Sequence, residues 1–350
     1  MIPLMLLLCT NGLRERHWEE MSKITGIELD PKHAYNLNEL QNLKLHEHTS
    51  EIEETCVGAV KEYGLEKLMD SMEEEWESLT FELMEYRDTG TFILKSVDEI
   101  QQVLDDQIVK TQSMRGSRYI GAFMERSTKW EQILKDLQAI IDSWLKMQGV
   151  WLYLQPIFQS PDINKQMPVE GKKFEIVDKT WRDSMAKTFE KPGVLVVAQR
   201  EGLLDMLNKA NELLEQIQKG LAAYLNTKRI AFSRFFFLSD DELLEILAET
   251  KDPLRVQPHL KKCFEGIHSL KFSPDLDILA MQSREKEVVE FDYETIKTRV
   301  VNPKNAQGQV EKWLLDVEDV MRKTVALKVN ESMYVSKMSL SFFCSYSSSC

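Results

Sequence analysis

The chain has 350 residues, of which 43% are hydrophobic and 29% charged, and a formal net charge of −13. That balance is the composition of a folded chain rather than a disordered one, and the length allows two domains or one long multi-helix assembly. The acidic surface disfavours nucleic acid and anionic membrane, since Lys and Arg run no longer than pairs such as Lys261-Lys262.

The N-terminus reads MIPLMLLLC, with no basic residue ahead of it and no small-residue cleavage site behind. Its apolar run is only about seven to eight residues, so a packed segment is expected over Leu4 to Leu8 ahead of a secretion signal. No stretch reaches the ~18 apolar residues of a membrane span. The five cysteines (9, 56, 263, 344 and 350) are scattered, odd in number and without CxxC spacing. Reduced thiols in a cytosolic compartment are expected.

The dominant pattern is helical. Helix starts are predicted from three Ser-x-x-Glu boxes, Ser50 to Glu53, Ser96 to Glu99 and Ser239 to Glu242. From Trp130 through Leu137, Trp144 and Trp151 to Leu154 the apolar positions alternate spacings of three and four, which places them on one helix stripe. Trp130, Trp144 and Trp151, separated by multiples of seven, predict a deeply packed seam. Residues 156–173 hold three prolines and a glycine and read as an ordered turn region between helices. The series Leu203, Leu207, Ala210, Leu214, Ile217, Leu221 and Tyr224 repeats the alternation. A helix over about 196 to 228 would be roughly 45–50 Å long, far above the mean for a globular domain. Long antiparallel helices in an elongated rod are the expected all-α fold.

The stretch RFFFLSDDELLEIL follows, beginning at Arg234. Phe235, Phe236 and Phe237 cannot all face one core, so at least one must meet a second layer or a partner. Ser239 is expected to cap the next helix, with the Asp residues serving its positive end and not a metal. That helix is predicted to stop at Lys251-Asp252-Pro253, and the next to run from Pro258 to Gly266. From His268 to Val301 the helical period breaks, and a short β-hairpin near 268–292 is expected with Pro274-Asp275 at its turn. WLLDVEDVM, from Trp313, returns to helical spacing. The last residues, 326–350, lack periodicity and read as a poorly ordered tail.

Chemistry-bearing motifs are missing: no GxxxxGK[ST], GxGxxG, HExxH, GxSxG or DxDxDG occurs. No cofactor and no catalytic residue is therefore assigned. His46-Glu47-His48 with Cys56 could be drawn as zinc ligands, but a solvated helix surface fits better. His259, Cys263 and His268 are the best metal candidate. Against it, Cys263 and Phe264 fall on the core stripe of Leu260, Phe264 and Ile267, so a buried inert thiol is expected. The runs of Glu at 53–54 and 73–75 are read as solvated faces. The expectation is a non-enzyme whose informative residues are structural or interfacial: Trp151, Tyr153, Phe158, Trp181, Phe235, Phe236, Phe237, Cys263 and Phe264. Trp181→Ala and Phe236→Ala are each expected to cost roughly 3–5 kcal/mol if the ring is buried.

WLYLQPIFQSPDINKQMPVEGKKFEIVDKTWRDSM (151–185) closely resembles the linker region of dynein heavy chains. So does LAAYLNTKRIAFSRFFFLSDDELLEILAETKDPLRVQPHLKKCFEGIHSLKF (221–272). NGLRERHWEEM (11–21) and MEEEWESLTFELMEY (72–86) resemble the same family upstream, and VEKWLLDVEDVMRKTV (310–325) downstream. LQPIFQSPDI and QMPVEG look more axonemal than cytoplasmic. Two departures are Ser233, where the family usually has proline, and Gln155, where glutamate is common; a looser turn is expected at Ser233.

The resemblance implies a mechanical part: a stack of helices, 1–150 and 151–325, lying across a ring of AAA+ modules. It bends with the ring's nucleotide state and drives movement toward microtubule minus ends in cilia. It further implies the ring as a partner in cis, intermediate and light chains as partners through an upstream tail, and only indirect contact with microtubules. Cytoplasm, cytoskeleton and ciliary axoneme are the implied locations. The resemblance is expected to stop near Ala326, as in a truncated product, and the competing reading is a free-standing helical scaffold for other dynein subunits.

Overall fold

A computed structural model describes residues 2–33, 35–248 and 252–347. In chain order its α-helices are α1 (Ile2–Leu8), α2 (Glu15–Thr25), α3 (Leu37–Asn42), α4 (Thr49–Glu77), α5 (Asp98–Arg115), α6 (Met124–Phe158) and α7 (Pro161–Gln166). They continue with α8 (Pro168–Glu190), α9 (Val194–Ala198), α10 (Leu203–Ala231), α11 (Asp240–Ala248), α12 (Gln257–Cys263) and α13 (Val310–Ser347). Strands β1 (Leu83–Glu85) and β2 (Phe92–Leu94) pair antiparallel, as do β3 (Ser269–Phe272), β4 (Ile278–Gln282) and β5 (Val288–Glu290) in that order. The fold is mostly α, as the periodicity predicts, with small antiparallel sheets.

The predicted stripes are buried. On α6, Leu137, Ile140, Trp144, Met147, Trp151 and Leu154 all lie within the core, and on α10 so do Leu203, Leu207, Leu214, Ile217 and Leu221. Spacings of three and four keep such residues on one face over many turns. The expected start near 196 is corrected: α9 occupies 194–198, and α10 begins at Leu203 after a turn in which Gly202 has φ of 73°.

Helix starts obey the local rule only in part. Ser239 and Glu242 form the predicted reciprocal cap, with Ser239 N donating to Glu242 Oε2 at 3.1 Å and Glu242 N to Ser239 Oγ at 3.3 Å. Ser50 instead lies inside α4, whose N-cap is His48, and Val97 is the N-cap of α5. A 3-10 turn over Leu45–His48 leads straight into α4 and displaces Ser50 inward. Ser96 stands one place too early, and its hydroxyl instead bonds the Asp98 carboxylate at 3.0 Å.

The three prolines of 156–173 do less breaking than expected. Pro156 sits in the last turn of α6, while Pro161 and Pro168 open α7 and α8. A first-turn proline loses no helical hydrogen bond, so the region is two helix starts rather than an extended turn. The predicted hairpin is a three-stranded meander with its first turn over Ser273–Asp277, and it contains Pro274-Asp275. The β1–β2 hairpin is not foreshadowed by periodicity, because each of its strands is only three residues long. The 326–350 segment differs most: α13 continues to Ser347. No Gly or Pro interrupts that stretch, so nothing in its backbone chemistry ends the helix. The expected stop at Lys251 lies outside the described residues.

Contacts divide the chain into two compact units, residues 1–148 with 179–211, and residues 149–178 with 212–350. In the first, Leu4 of α1 joins Trp18 and Met21 of α2 and Ile52 and Cys56 of α4 in one core. The apolar N-terminus is thus a packed helix. At Gly12, φ is 103°, and a Cβ would stand 2.5 Å from the Tyr63 Cβ, so only glycine fits this turn. Gln107 of α5 accepts from Trp76 Nε1 at 2.6 Å and donates to Met72 O at 3.1 Å, tying α5 to α4. Gln148 of α6 bonds both backbone groups of Leu94, at 2.8 and 3.0 Å, and so extends the β2 edge with a side chain. Asn211 donates to Ser143 O at 2.8 Å.

In the second unit, Trp151 Nε1 donates to Asp178 Oδ1 at 3.0 Å. Phe158 stacks on Phe174 with ring centroids 5.1 Å apart. Lys173 reaches Gln216 at 2.9 Å, and Lys228 of α10 pairs with Glu311 of α13 at 2.6 Å.

Candidate functional site

The stretch from Arg234 to Phe237 folds as a 3-10 turn, Ser233–Phe237, directly after α10. Three residues per turn send consecutive side chains about 120° apart, so three adjacent phenylalanines must diverge. Phe235 is fully buried, while Phe236 and Phe237 are 60% and 71% exposed. Of the two rings given a stability cost on condition of burial, Trp181 meets that condition and Phe236 does not. Phe235 meets Phe232 edge-on at 4.9 Å, and Phe232 lies 6.0 Å from Phe264.

Arg234 organises this hub. Its guanidinium lies 4.9 Å from the centroid of Phe264, its Nη1 donates to Cys263 O at 3.1 Å, and its Nε is 3.4 Å from Glu318 of α13. One planar cation thus joins the turn after α10, the end of α12 and the third turn of α13 by stacking, hydrogen bonding and charge. The sequence reading passed over Arg234, although its place beside a phenylalanine run was the available signal. The Lys228–Glu311 pair and Gln148 had no such signal, since their partners are far away along the chain.

Cys263 is buried, and burial pushes its thiol up to about 11, with Arg234 opposing and Glu242 reinforcing the shift. Cys56 is likewise pushed to about 11 by burial, with Glu53 adding to it. Both are poor nucleophiles and poor metal ligands in this state. His259 is buried with its Nε2 3.4 Å from Glu245, whereas His268 and His46 are exposed. Among the described residues, no group of three or more His, Cys, Asp or Glu could hold a metal ion. Among them, too, no helix is long and apolar enough to cross a membrane.

The other singled-out aromatics have distinct roles. Trp151, Phe158 and Trp181 are core residues. Tyr153 is 39% exposed; burial first, then the charges of Asp241 and Asp240, push its titration upward. The structure brings Phe235, Cys263 and Phe264 into one hub and leaves Phe236 and Phe237 on the surface.

The family described as dynein heavy chain, N-terminal region 2, matches residues 1–332. The chain belongs to the dynein heavy chain family. The match carries past Val325 into the second half of α13, beyond the expected end near Ala326. Dynein axonemal heavy chain 12 of Homo sapiens is 52% identical over 313 residues, which is 89% of this chain and 10% of that protein. Dynein axonemal heavy chain 3 of Homo sapiens is 48% identical over 320 residues, or 91% of this chain and 8% of that protein. Dynein axonemal heavy chain 1 of Mus musculus is 45% identical over 324 residues, or 93% and 7%. This heavy-chain region therefore spans about a tenth or less of the length of these relatives.

Proposed function

We propose that this heavy-chain region is a linker, the lever segment of an axonemal dynein, without catalytic activity of its own. The observation that carries the reading is near-50% identity to axonemal heavy chains along 89–93% of the chain. The long helices agree with it, since a lever must transmit force through elements that do not bend. At 1.5 Å per residue α6 spans about 50 Å, and its buried stripe resists bending. In this reading residues 1–150 and 151–325 are successive parts of the lever. Its partner is an AAA+ ring in the same heavy chain, and intermediate and light chains attach through other parts of that heavy chain. Microtubules are reached only through the whole motor, and the setting is the cytoskeleton of the ciliary axoneme.

The test is binding of the purified chain to a separately expressed AAA+ ring of an axonemal heavy chain. Affinity would be measured without nucleotide, with ATP and with ADP plus vanadate. A severalfold change between nucleotide states is expected. Nucleotide-independent affinity, or binding to other dynein subunits in place of the ring, would instead identify a helical scaffold.

A further inference from the structure

A cleft of about 430 Å³ opens between the end of α6, α7 and α11, all within the second unit. Its floor is apolar, formed by Leu152, Pro156, Ile157, Ile163 and Leu244. Along α11 the lining positions are Asp241, Leu244, Glu245 and Ala248. That is one helix face over two turns, about 10 Å long. The volume lies within the range of ordinary binding pockets.

The charges of α11 are neutralised selectively. Asp240 pairs with Arg229 at 2.6 Å, and Glu242 is held by Lys262 and by the Ser239 cap. The two carboxylates on the cleft side are treated differently. Asp241 lines the cleft with Tyr153, and Glu245 meets His259 at 3.4 Å, but neither pairs with a Lys or Arg among the described residues. Four residues apart on one face, they stand roughly 5–6 Å from each other at Cβ. First-turn acids serve the helix dipole, which explains Asp241 in part; Glu245 lies beyond that turn.

We propose that this cleft docks a basic amphipathic helix of a partner protein. Apolar side chains of that helix would enter between α6 and α11. Lys or Arg residues one turn apart would reach Asp241 and Glu245. Helices seat in grooves through anchors at i, i+3, i+4 and i+7, which the two-turn length accommodates. The same carboxylates repel phosphate, so nucleic acid and anionic lipid are the wrong chemistry for this surface. The inference does not depend on the lever reading.

The probe is a labelled 16-residue peptide with Leu at helical spacing and Lys flanking it, compared with its Glu-for-Lys counterpart. Fluorescence anisotropy on the full chain is expected to show binding of the Lys peptide only. Asp241→Asn with Glu245→Gln should weaken it at least tenfold, and Ala248→Trp, which fills the cleft, should do the same. A charge-matched control, Glu54→Gln with Glu74→Gln on α4, should leave it unchanged. Hydrogen exchange should slow at 152–163 and 241–248 when the peptide is bound. The proposal is overturned by equal weakening in the control, by affinity indifferent to the Asp241/Glu245 pair, or by protection elsewhere. Concentration-dependent dimerisation abolished by the same substitutions would make the occupant a second copy of this chain, which also overturns it.

Discussion

Phe235, Phe236 and Phe237 are chemically identical neighbours with opposite fates. Removing the buried ring of Phe235 leaves a cavity between Phe232 and its surroundings, so Phe235→Ala is expected to cost about 3–5 kcal/mol. Trp181→Ala, also at a fully buried site, belongs to the same range. Phe236→Ala should stay within about 0.5 kcal/mol, because its ring is already in water. Urea unfolding of the three variants checks the ordering, and a large loss at Phe236 alone would mean that the 3-10 turn is oriented differently. The thiols make a second residue-scale prediction. Exposed Cys9 should alkylate quickly at pH 8, while Cys56 and Cys263 should react only on unfolding, as read by peptide mass mapping. Their raised folded values mean that the stabilising contribution is complete below the ordinary value of 9.0 and is lost as pH rises toward about 11.

At the scale of elements, α11 shows how a helix end couples local and distant chemistry. Glu242 closes the Ser239 box and also takes Lys262 from α12, and first the lysine, then the Ser239 backbone, hold its carboxyl below the usual 4.5. A depressed folded value stabilises the fold above the unfolded one, and that contribution is lost as pH falls below about 4.5. Ser239→Ala is therefore expected to cost about 1 kcal/mol at neutral pH. Glu242→Gln should flatten the acid limb of the stability profile, and thermal melts between pH 3 and 7 read both. An acid limb unchanged in Glu242→Gln would show that other carboxylates govern it. The prolines teach the complementary lesson. Pro161 and Pro168 open helices rather than end them, because the first turn has no hydrogen bond to lose.

For the whole molecule, family membership and the absence of any phosphate-cradling motif in the sequence lead to one expectation. The purified chain should release no phosphate from ATP above buffer background, alone or with microtubules. Turnover that co-purifies with the chain through successive columns would contradict the lever reading. It would also require a site unlike the P-loop, since no GxxxxGK[ST] occurs in the sequence.

Much of this was legible from residues alone. The long stripes of α6 and α10, the Ser239 cap, the β meander after His268 and the heavy-chain resemblance all rest on patterns within a few residues or on long continuous runs. Helix periodicity and the Ser239 box are interactions between residues three or four apart, so sequence determines them by itself, whereas the Ser50 and Ser96 boxes yielded to the turns around them. What depends on distant neighbours was decided only by tertiary structure. Which phenylalanine of the 3-10 turn faces inward follows from where Phe232 and Phe264 stand, and Arg234 matters because α12 and α13 bring it Cys263 O and Glu318. Gln148 completes the β2 edge from 54 positions away. The α11 cleft exists only because the end of α6 and the short α7 come to lie against a face whose charges were otherwise spoken for. Burial is a property of surfaces that meet, and no single strand of sequence carries both sides of a meeting.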